Sequence, residues 1–410
     1  MSPFDAPATY SLLQYTEFAR GIWYPIGGFA IVPIKLAEIA QRFGATIRLS
    51  SPVKSLLFSN DGKRVSGVVT ASGESLEADI VVCNADLVYA YDKLLPSPRP
   101  SSLGNNIFGF LDDLNPLSSS RRNVLNRTAS CSTISFYWSL SRPLPRRPKH
   151  APAASNSSSP AKGKDDYYFS AHNIFLAEAY KRSFDQIFKE HTLPTDPSFY
   201  INVPSMLDDT AAPGGCDTVV VLVPVGHLTR RDSVDSEERN RVNALVNRAR
   251  MQVLETIKTR MGIDLSKDGW IKHEMVNNPI VCKYKLTYTS AALLILIKPV
   301  HSASNTLCFR PCTQHSQFKN MYFVGASTHP GKYTHTPFPH DLYFSLLFFF
   351  FFQGTGVPVV LAGAKITAEQ ILSNHLPPNE TSGFKSLQGN GHAVGYNKVS
   401  RLKSKRTAFI

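Results

Sequence analysis

No two cysteines of this chain stand at a CxxC spacing, and the six present (Cys83, Cys131, Cys216, Cys282, Cys308 and Cys312) are scattered along 410 residues. That usage fits a reducing, intracellular setting rather than a disulfide framework. Cys308 and Cys312 lie close together but have no second ligand pair, so no metal site is read. Long apolar runs are missing too. The longest, Leu342–Phe352, falls well short of the roughly 20 residues needed to span a bilayer. The opening MSPFDAPATYSLLQYTEFARG has no basic stretch leading into an apolar one, so no secretory signal is expected. Basic residues exceed acidic ones, giving a net charge of +13, partly gathered in Arg142–Lys164 and Lys398–Arg406. Such blocks are usually solvated linkers or tails, and they also suit an anionic membrane surface. No basic motif is interleaved with aromatics, which argues against a nucleic-acid partner.

What is present is ample for a sizeable core, since 43% of residues are hydrophobic. After the turn Tyr24-Pro25-Ile26-Gly27-Gly28, the residues Val32, Leu36, Ile39, Ala40 and Phe43 recur at helical spacing and Gly44 supplies the stop. Thr46–Ser50 alternates as a strand would. Leu56–Ser59 runs into Asp61-Gly62, a hairpin signal, with Val65, Val68 and Val69 on the return. Ala78–Cys83 reads as a short buried strand that ends in Asn84-Ala85-Asp86, the kind of strand end where α/β proteins place ligands. Further strands are expected over 133–140, near 198–203 and over 217–224. Residues 236–261 predict one long amphipathic helix with Gly262 as its cap. Residues 142–166, rich in Pro, Ser, Lys and Arg, read as a disordered surface insertion, and the polar stretch after Leu372 as a disordered basic tail.

The most informative pieces lie near the end. Asn320–Gly331 reads NMYFVGASTHPG, and Gly354–Ala368 reads GTGVPVVLAGAKITA. Tyr322–Val324 predicts a buried strand. Gly325, Ala326 and Ser327 are small enough for a backbone or flat ring to approach closely. Gly354, Gly356 and Pro358 set up a helix whose free N–H groups and positive end face an anion. Strand, glycine turn and helix start together make a cradle for a dinucleotide pyrophosphate or for the electron-rich edge of a flavin.

Joined, the two pieces resemble the C-terminal signature of the bacterial and fungal-type phytoene desaturase (phytoene dehydrogenase) family. So do GIWYPIGGF at 21–29, ADIVVCNAD at 78–86, SCSTISFYWSL at 130–140, SAHNIFLAEAY at 170–180, PSFYINVPS at 197–205 and DTVVVLVPVGHL at 217–228. The resemblance implies an FAD-dependent flavoprotein that withdraws hydrogens from phytoene, an apolar polyene precursor taken from membranes. It further implies an intracellular, peripherally membrane-associated enzyme of carotenoid biosynthesis. The implied fold is α/β: a partial FAD-binding Rossmann-like domain with an interleaved α+β substrate domain. Residues 1–45 and 96–305 would then belong to the substrate part, and 46–95 and 306–372 to the FAD part, with 373–410 as the tail. By family position the cofactor-binding residues are Val53, Asn84, Ala85, Asp86, Gly325, Ala326, Ser327, Thr328, His329, Gly331, Gly356 and Val357. No catalytic residue is assigned. His329 is read as a flavin-packing residue, because dehydrogenation of a hydrocarbon leaves no heteroatom to protonate. Carotenoid isomerases and retinol saturases share the same family.

Three features depart from the family pattern. No GxGxxG fingerprint precedes residue 21, so the chain is expected to be an N-terminally truncated form that holds FAD weakly, or a non-catalytic remnant. Lys332–Gln353, with five consecutive phenylalanines, splits the signature. Gly-Lys-Tyr can be encoded GGT-AAG-TAY, which contains a splice-donor sequence, the Phe run by a pyrimidine tract, and Gln by CAG, a splice acceptor. The segment therefore reads as a translated intron. Residues 282–305 do not resemble the family either.

Overall fold

The computed structural model describes residues 21–95 apart from 22, 131–146, 168–226, 236–280 apart from 268, 312–325, 357–375 and 406–410, with isolated positions 4, 121 and 124. The chain divides into two units. One comprises Met1–Phe4, Glu17–Ile47 and Cys131–Tyr284; the other comprises Asp5–Thr16, Arg48–Ser130 and Lys285–Ile410.

In the first unit, α1 (Ile31–Arg42) forms where the apolar spacing predicts, and Gly44 takes a positive φ of 89° just beyond it. The unit is built on a five-stranded antiparallel sheet of β5 (Ser132–Leu140), β6 (His172–Phe175), β7 (Phe199–Asn202), β8 (Asp217–Val225) and β9 (Ile271–Asn277), in the order β6-β7-β8-β5-β9. Its inner face is set by alternation: Val219, Val221, Val223 and Val225 on β8 sit beside Ile134, Phe136, Trp138 and Leu140 on β5, all buried. A short helix α2 (Leu87–Tyr89) belongs to the other unit. Here α3 (Tyr180–Phe188) links β6 to β7, and α4 (Ser236–Met261) spans the predicted 26 residues. It lays Ala249, Val253, Leu254 and Ile257 into the same core.

The expected disorder does not begin at 142. The buried Asp217 carboxylate accepts hydrogen bonds from the Leu144 N–H at 2.7 Å and the Ser205 hydroxyl at 2.6 Å, and it pairs with the Arg146 guanidinium. Leu144 is buried, and Arg146 bridges to Phe169. A buried carboxylate demands such partners, so 142–146 is held in place. Residues 147–167 lie outside the described residues.

The second unit carries two small sheets. β1 (Val53–Phe58), β2 (Val65–Thr70) and β3 (Ser75–Glu77) form an antiparallel meander, with Asp61-Gly62 in the first turn. Thr46–Ser50 is not a strand: it is exposed, and Ser50 has φ 55°. Its alternation finds no partner strand, and pairing begins at Val53↔Thr70. The second sheet is parallel, in the order β10-β4-β11, from β4 (Ile80–Cys83), β10 (Met321–Phe323) and β11 (Thr407–Phe409). All four residues of β4 are buried, as an unbroken apolar run in a central parallel strand should be. β11 corrects the reading of 373–410 as a disordered tail. At 406–410 the backbone has become a sheet strand, because Thr407, Ala408 and Phe409 complete the open edge of β4. The helix α5 (Val357–His375) likewise runs past Leu372.

Gly67 on β2 shows how tightly the meander is packed. A Cβ there would lie 2.2 Å from the Leu76 carbonyl oxygen on β3. Gly67→Ala is expected to destabilise the chain by about 1–3 kcal/mol, since only backbone movement relieves the overlap. Gly214→Ala, whose Cβ would meet nothing within 4 Å, should stay within about 0.5 kcal/mol of the parent. Equal denaturation midpoints for the two variants would contradict this.

Candidate cofactor site

The site is assembled at the carboxyl ends of two neighbouring parallel strands. β10 and β4 run in register from Met321↔Val81 to Phe323↔Cys83, and the Val324 N–H continues the ladder to the Cys83 carbonyl at 3.0 Å. This places Gly325 beside Asn84-Ala85-Asp86, which joins two of the sequence-predicted segments. Gly325 has φ 121°, a conformation that side chains disfavour. It has no Cβ, so it adds no side chain at the strand end.

On the neighbouring strand end, Asn84 is exposed, and its N–H donates to the Ile410 carbonyl oxygen at 2.5 Å. Asp86 starts α2. Its Oδ1 accepts the Tyr89 N–H at 2.9 Å, the expected work of a helix N-cap aspartate. The helix then widens into one π turn, Ala90–Leu94. Beneath the turn, burial pushes the Cys83 thiol up to about 12, so it is an inert core group rather than a nucleophile.

Val53 is not brought to this edge by strand pairing. It opens β1 in the antiparallel sheet, packed against the core that Cys83 and Phe323 also enter. Ala326, Ser327, Thr328, His329, Gly331 and Gly356 lie outside the described residues. Val357 is the first residue of α5, and its side chain is likewise undescribed. Among the described residues no cluster of three His, Cys, Asp or Glu side chains suits a metal ion.

The supporting layer contains residues the sequence pattern did not single out. Buried Asn320, just before β10, accepts the Val65 N–H at 3.2 Å and donates to the carbonyls of Val65 at 2.6 Å and Asp79 at 2.8 Å. One carboxamide thus ties the meander to the parallel sheet. A polar residue at the mouth of a buried strand is the signal that would have found it. Tyr322 is buried, which pushes its phenol up. Its hydroxyl meets Gln314 Nε2 at 3.3 Å, Asn374 Nδ2 at 3.1 Å and His375 Nε2 at 3.1 Å. With Ile371 packed on Ile80, Val82 and Tyr322, these contacts seat α5 on the sheet.

The described residues suit a flavin. Two parallel strand ends, one leading into an exposed carboxamide and the other into a glycine, are the kind of place where α/β proteins hold such a group.

Residues 2–109 match the family of flavin containing amine oxidoreductases. The chain is 42% identical over 400 residues to a phytoene desaturase of Fusarium fujikuroi, covering 95% of this chain and 57% of that protein. It is 44% identical over 383 residues to a phytoene desaturase of Neurospora crassa, covering 92% and 53%. It is 31% identical over 374 residues to a zeta-carotene-forming phytoene desaturase of Myxococcus xanthus, covering 91% and 57%. The chain therefore spans a little over half the length of these relatives.

Proposed function

We propose that, over the stretch it shares with those relatives, the chain belongs to the phytoene desaturase family and is part of an FAD-dependent oxidoreductase that desaturates phytoene in carotenoid biosynthesis. The observation that supports this most directly is that the β4–β10 register runs out at Cys83 and Val324, which leads Asn84–Asp86 and Gly325 off the same end of a parallel sheet. When bound, FAD supplies the two-electron acceptor for the hydrogens leaving a CH–CH bond. The residues of this chain provide the seat. Gly325 brings no side chain to the strand end, the Asn84 carboxamide offers a donor and an acceptor, and Asp86 holds the turn by capping α2. Ala326–His329, Gly331, Gly356 and Val357 are assigned to the seat by their positions in the signature sequence alone. A carotenoid polyene carries no charge or hydrogen-bonding group, so its recognition rests on apolar contact and shape.

We place the working protein inside the cell on a membrane surface. The substrate class supports this, as does the +13 net charge, which favours anionic lipid. Among the described residues no helix is long and apolar enough to cross a membrane. Salt-sensitive flotation with anionic liposomes tests that placement, and flotation indifferent to both salt and lipid charge would contradict it.

The reading of the site is tested by titrating the purified full chain with FAD while following flavin fluorescence and amide hydrogen exchange. Saturable quenching, with slowed exchange at Asn84, Val324 and Gly325, is expected. Absence of quenching, or protection confined to the five-stranded unit, would refute it.

A further inference from the structure

His315 is a buried imidazole, 1% exposed, that none of the roles above uses. Its Nδ1 accepts two backbone N–H groups, from Gln317 and Phe318, each at 3.1 Å. A ring nitrogen that accepts carries no proton, so the hydrogen of the neutral ring sits on Nε2. That Nε2 is buried and has no hydrogen-bond partner among the described residues. Around the ring stand Phe318 at 4.9 Å, Tyr91 at 5.8 Å and Phe323 at 6.1 Å between centroids.

The position gives this ring its leverage. Backbone bonds from the His315 N–H to the Met321 carbonyl at 2.9 Å and from the Phe323 N–H to the Thr313 carbonyl at 2.6 Å fasten segment 312–318 to β10. Tyr91 lies in the π turn that continues the helix capped by Asp86, and it also stacks on Phe323 at 5.6 Å. The imidazole therefore touches both arms of the candidate site: the strand leading to Gly325 and the helix leaving Asn84–Asp86.

We propose that His315 is a positioning residue for this site and an acid-sensitive latch. Neutral, it holds segment 312–318, β10 and the Asp86 helix together; protonated, it releases them and loosens the cofactor edge. The second half of the proposal rests on the flavin reading given above. A proton on Nδ1 would set an N–H against two N–H donors, so both bonds are lost together. The resulting charge would lie among three aromatic rings, with no salt-bridge partner among the described residues.

Burial, with the like charge of Lys319 as a second contribution, holds the imidazole down at about 4, against an ordinary 6.5. The other titratable groups facing it do not compete. Burial keeps Tyr91 neutral by pushing its phenol up to about 12. Asp92, next to Tyr91, is committed to Lys93 at 2.9 Å and Arg121 at 3.3 Å. The sign follows from linkage. The released form binds the proton more tightly, so falling pH favours release between 6.5 and about 4, by about tenfold per pH unit, and has no effect above that window.

The test uses the full chain and its Asn variant, His315→Asn, whose side-chain oxygen can still accept the two amides but does not titrate. Amide exchange, corrected for intrinsic rate, is followed from neutral pH down through the window, with FAD fluorescence quenching in parallel. In the parent, protection of Gln317, Phe318 and Phe323 should fall about tenfold per pH unit, and FAD affinity should fall with it. In the variant both should stay flat. Parallel profiles in the two proteins, or a parent whose protection is constant, would overturn the latch. If the variant does not fold, the imidazole resonances of the parent decide. Titration at the ordinary value supports no latch, whereas titration well below it, in step with the loss of protection, supports one. Loss of protection with no FAD binding at any pH would leave the latch standing and remove the flavin reading instead.

Discussion

Replacing Asn320 with leucine is expected to melt the cofactor-side unit while leaving the five-stranded unit folded. Leucine keeps the branched four-atom skeleton, though bulkier, and offers no hydrogen bond. The Val65 N–H and the carbonyls of Val65 and Asp79, now served at 2.6 to 3.2 Å, would be stranded away from water. Each stranded buried group costs about 1–3 kcal/mol, so the loss should reach roughly 3 kcal/mol or more. Whole domains rest on only about 5–15 kcal/mol. Two of the groups lie at the start of β2 and the third just before β4, while Asn320 itself precedes β10, so the two sheets lose their tie at one point. Amide exchange separates the units in a single experiment. Protection should collapse over 53–83 and 321–323 and persist over 132–140 and 217–225. A variant that keeps β4 protected within about 1 kcal/mol of the parent would show that apolar packing alone joins the sheets.

The sequence was most legible where one physical signal dominated. The helix over 236–261 appears from its apolar spacing and its terminal glycine, and the structure places it over the same residues. The Asp61-Gly62 hairpin and the strands over 132–140, 199–202 and 217–225 follow in the same way. The strand–turn elements of the candidate site, Ile80–Cys83 with Asn84 and Met321–Phe323 with Gly325, were also visible as short apolar runs that end in small or polar residues. What stayed hidden depends on partners far away in sequence. Leu144 and Arg146 sit in a stretch whose composition reads as disordered, and only the buried Asp217, some seventy residues on, fixes them. Thr407–Phe409 is a strand because β4 offers an edge, not because RTAFI is a strong strand sequence. Asn320 carries only the faint signal of a polar residue before a buried strand, and His315 looks ordinary in a linear reading. Their importance comes from burial and from the number of backbone groups each one satisfies.

Removing Lys332–Gln353 together with one flanking glycine is expected to raise soluble yield several-fold and to tighten FAD binding. The argument begins from the ends that the segment separates. Gly325, at the carboxyl end of β10, and Val357, at the start of α5, belong to one signature, and α5 is already seated on the sheet through Ile371, Gln370 and Asn374. Closing a longer loop between fixed ends costs little, because closure entropy grows only with the logarithm of length. Insertion of these 22 residues, 332 through 353, therefore does not by itself forbid the fold. Its burden is chemical. Phe344 and Phe348–Phe352 concentrate six aromatic side chains within nine positions. Left in water they would form an adhesive apolar patch. Folded inward, they would compete with a flat cofactor for the same glycine-lined space. Either course is worse than the direct junction NMYFVGASTHPGTGVPVVLAGA, in which the glycine turn runs straight into the helix start and its free N–H groups reach the anion. The comparison is between parent and deletion, expressed side by side, with yield measured after centrifugation and FAD affinity by fluorescence quenching. A deletion that lowers soluble yield, or leaves FAD affinity unchanged or weaker, would mean that the phenylalanine run is an integral part of the protein's core.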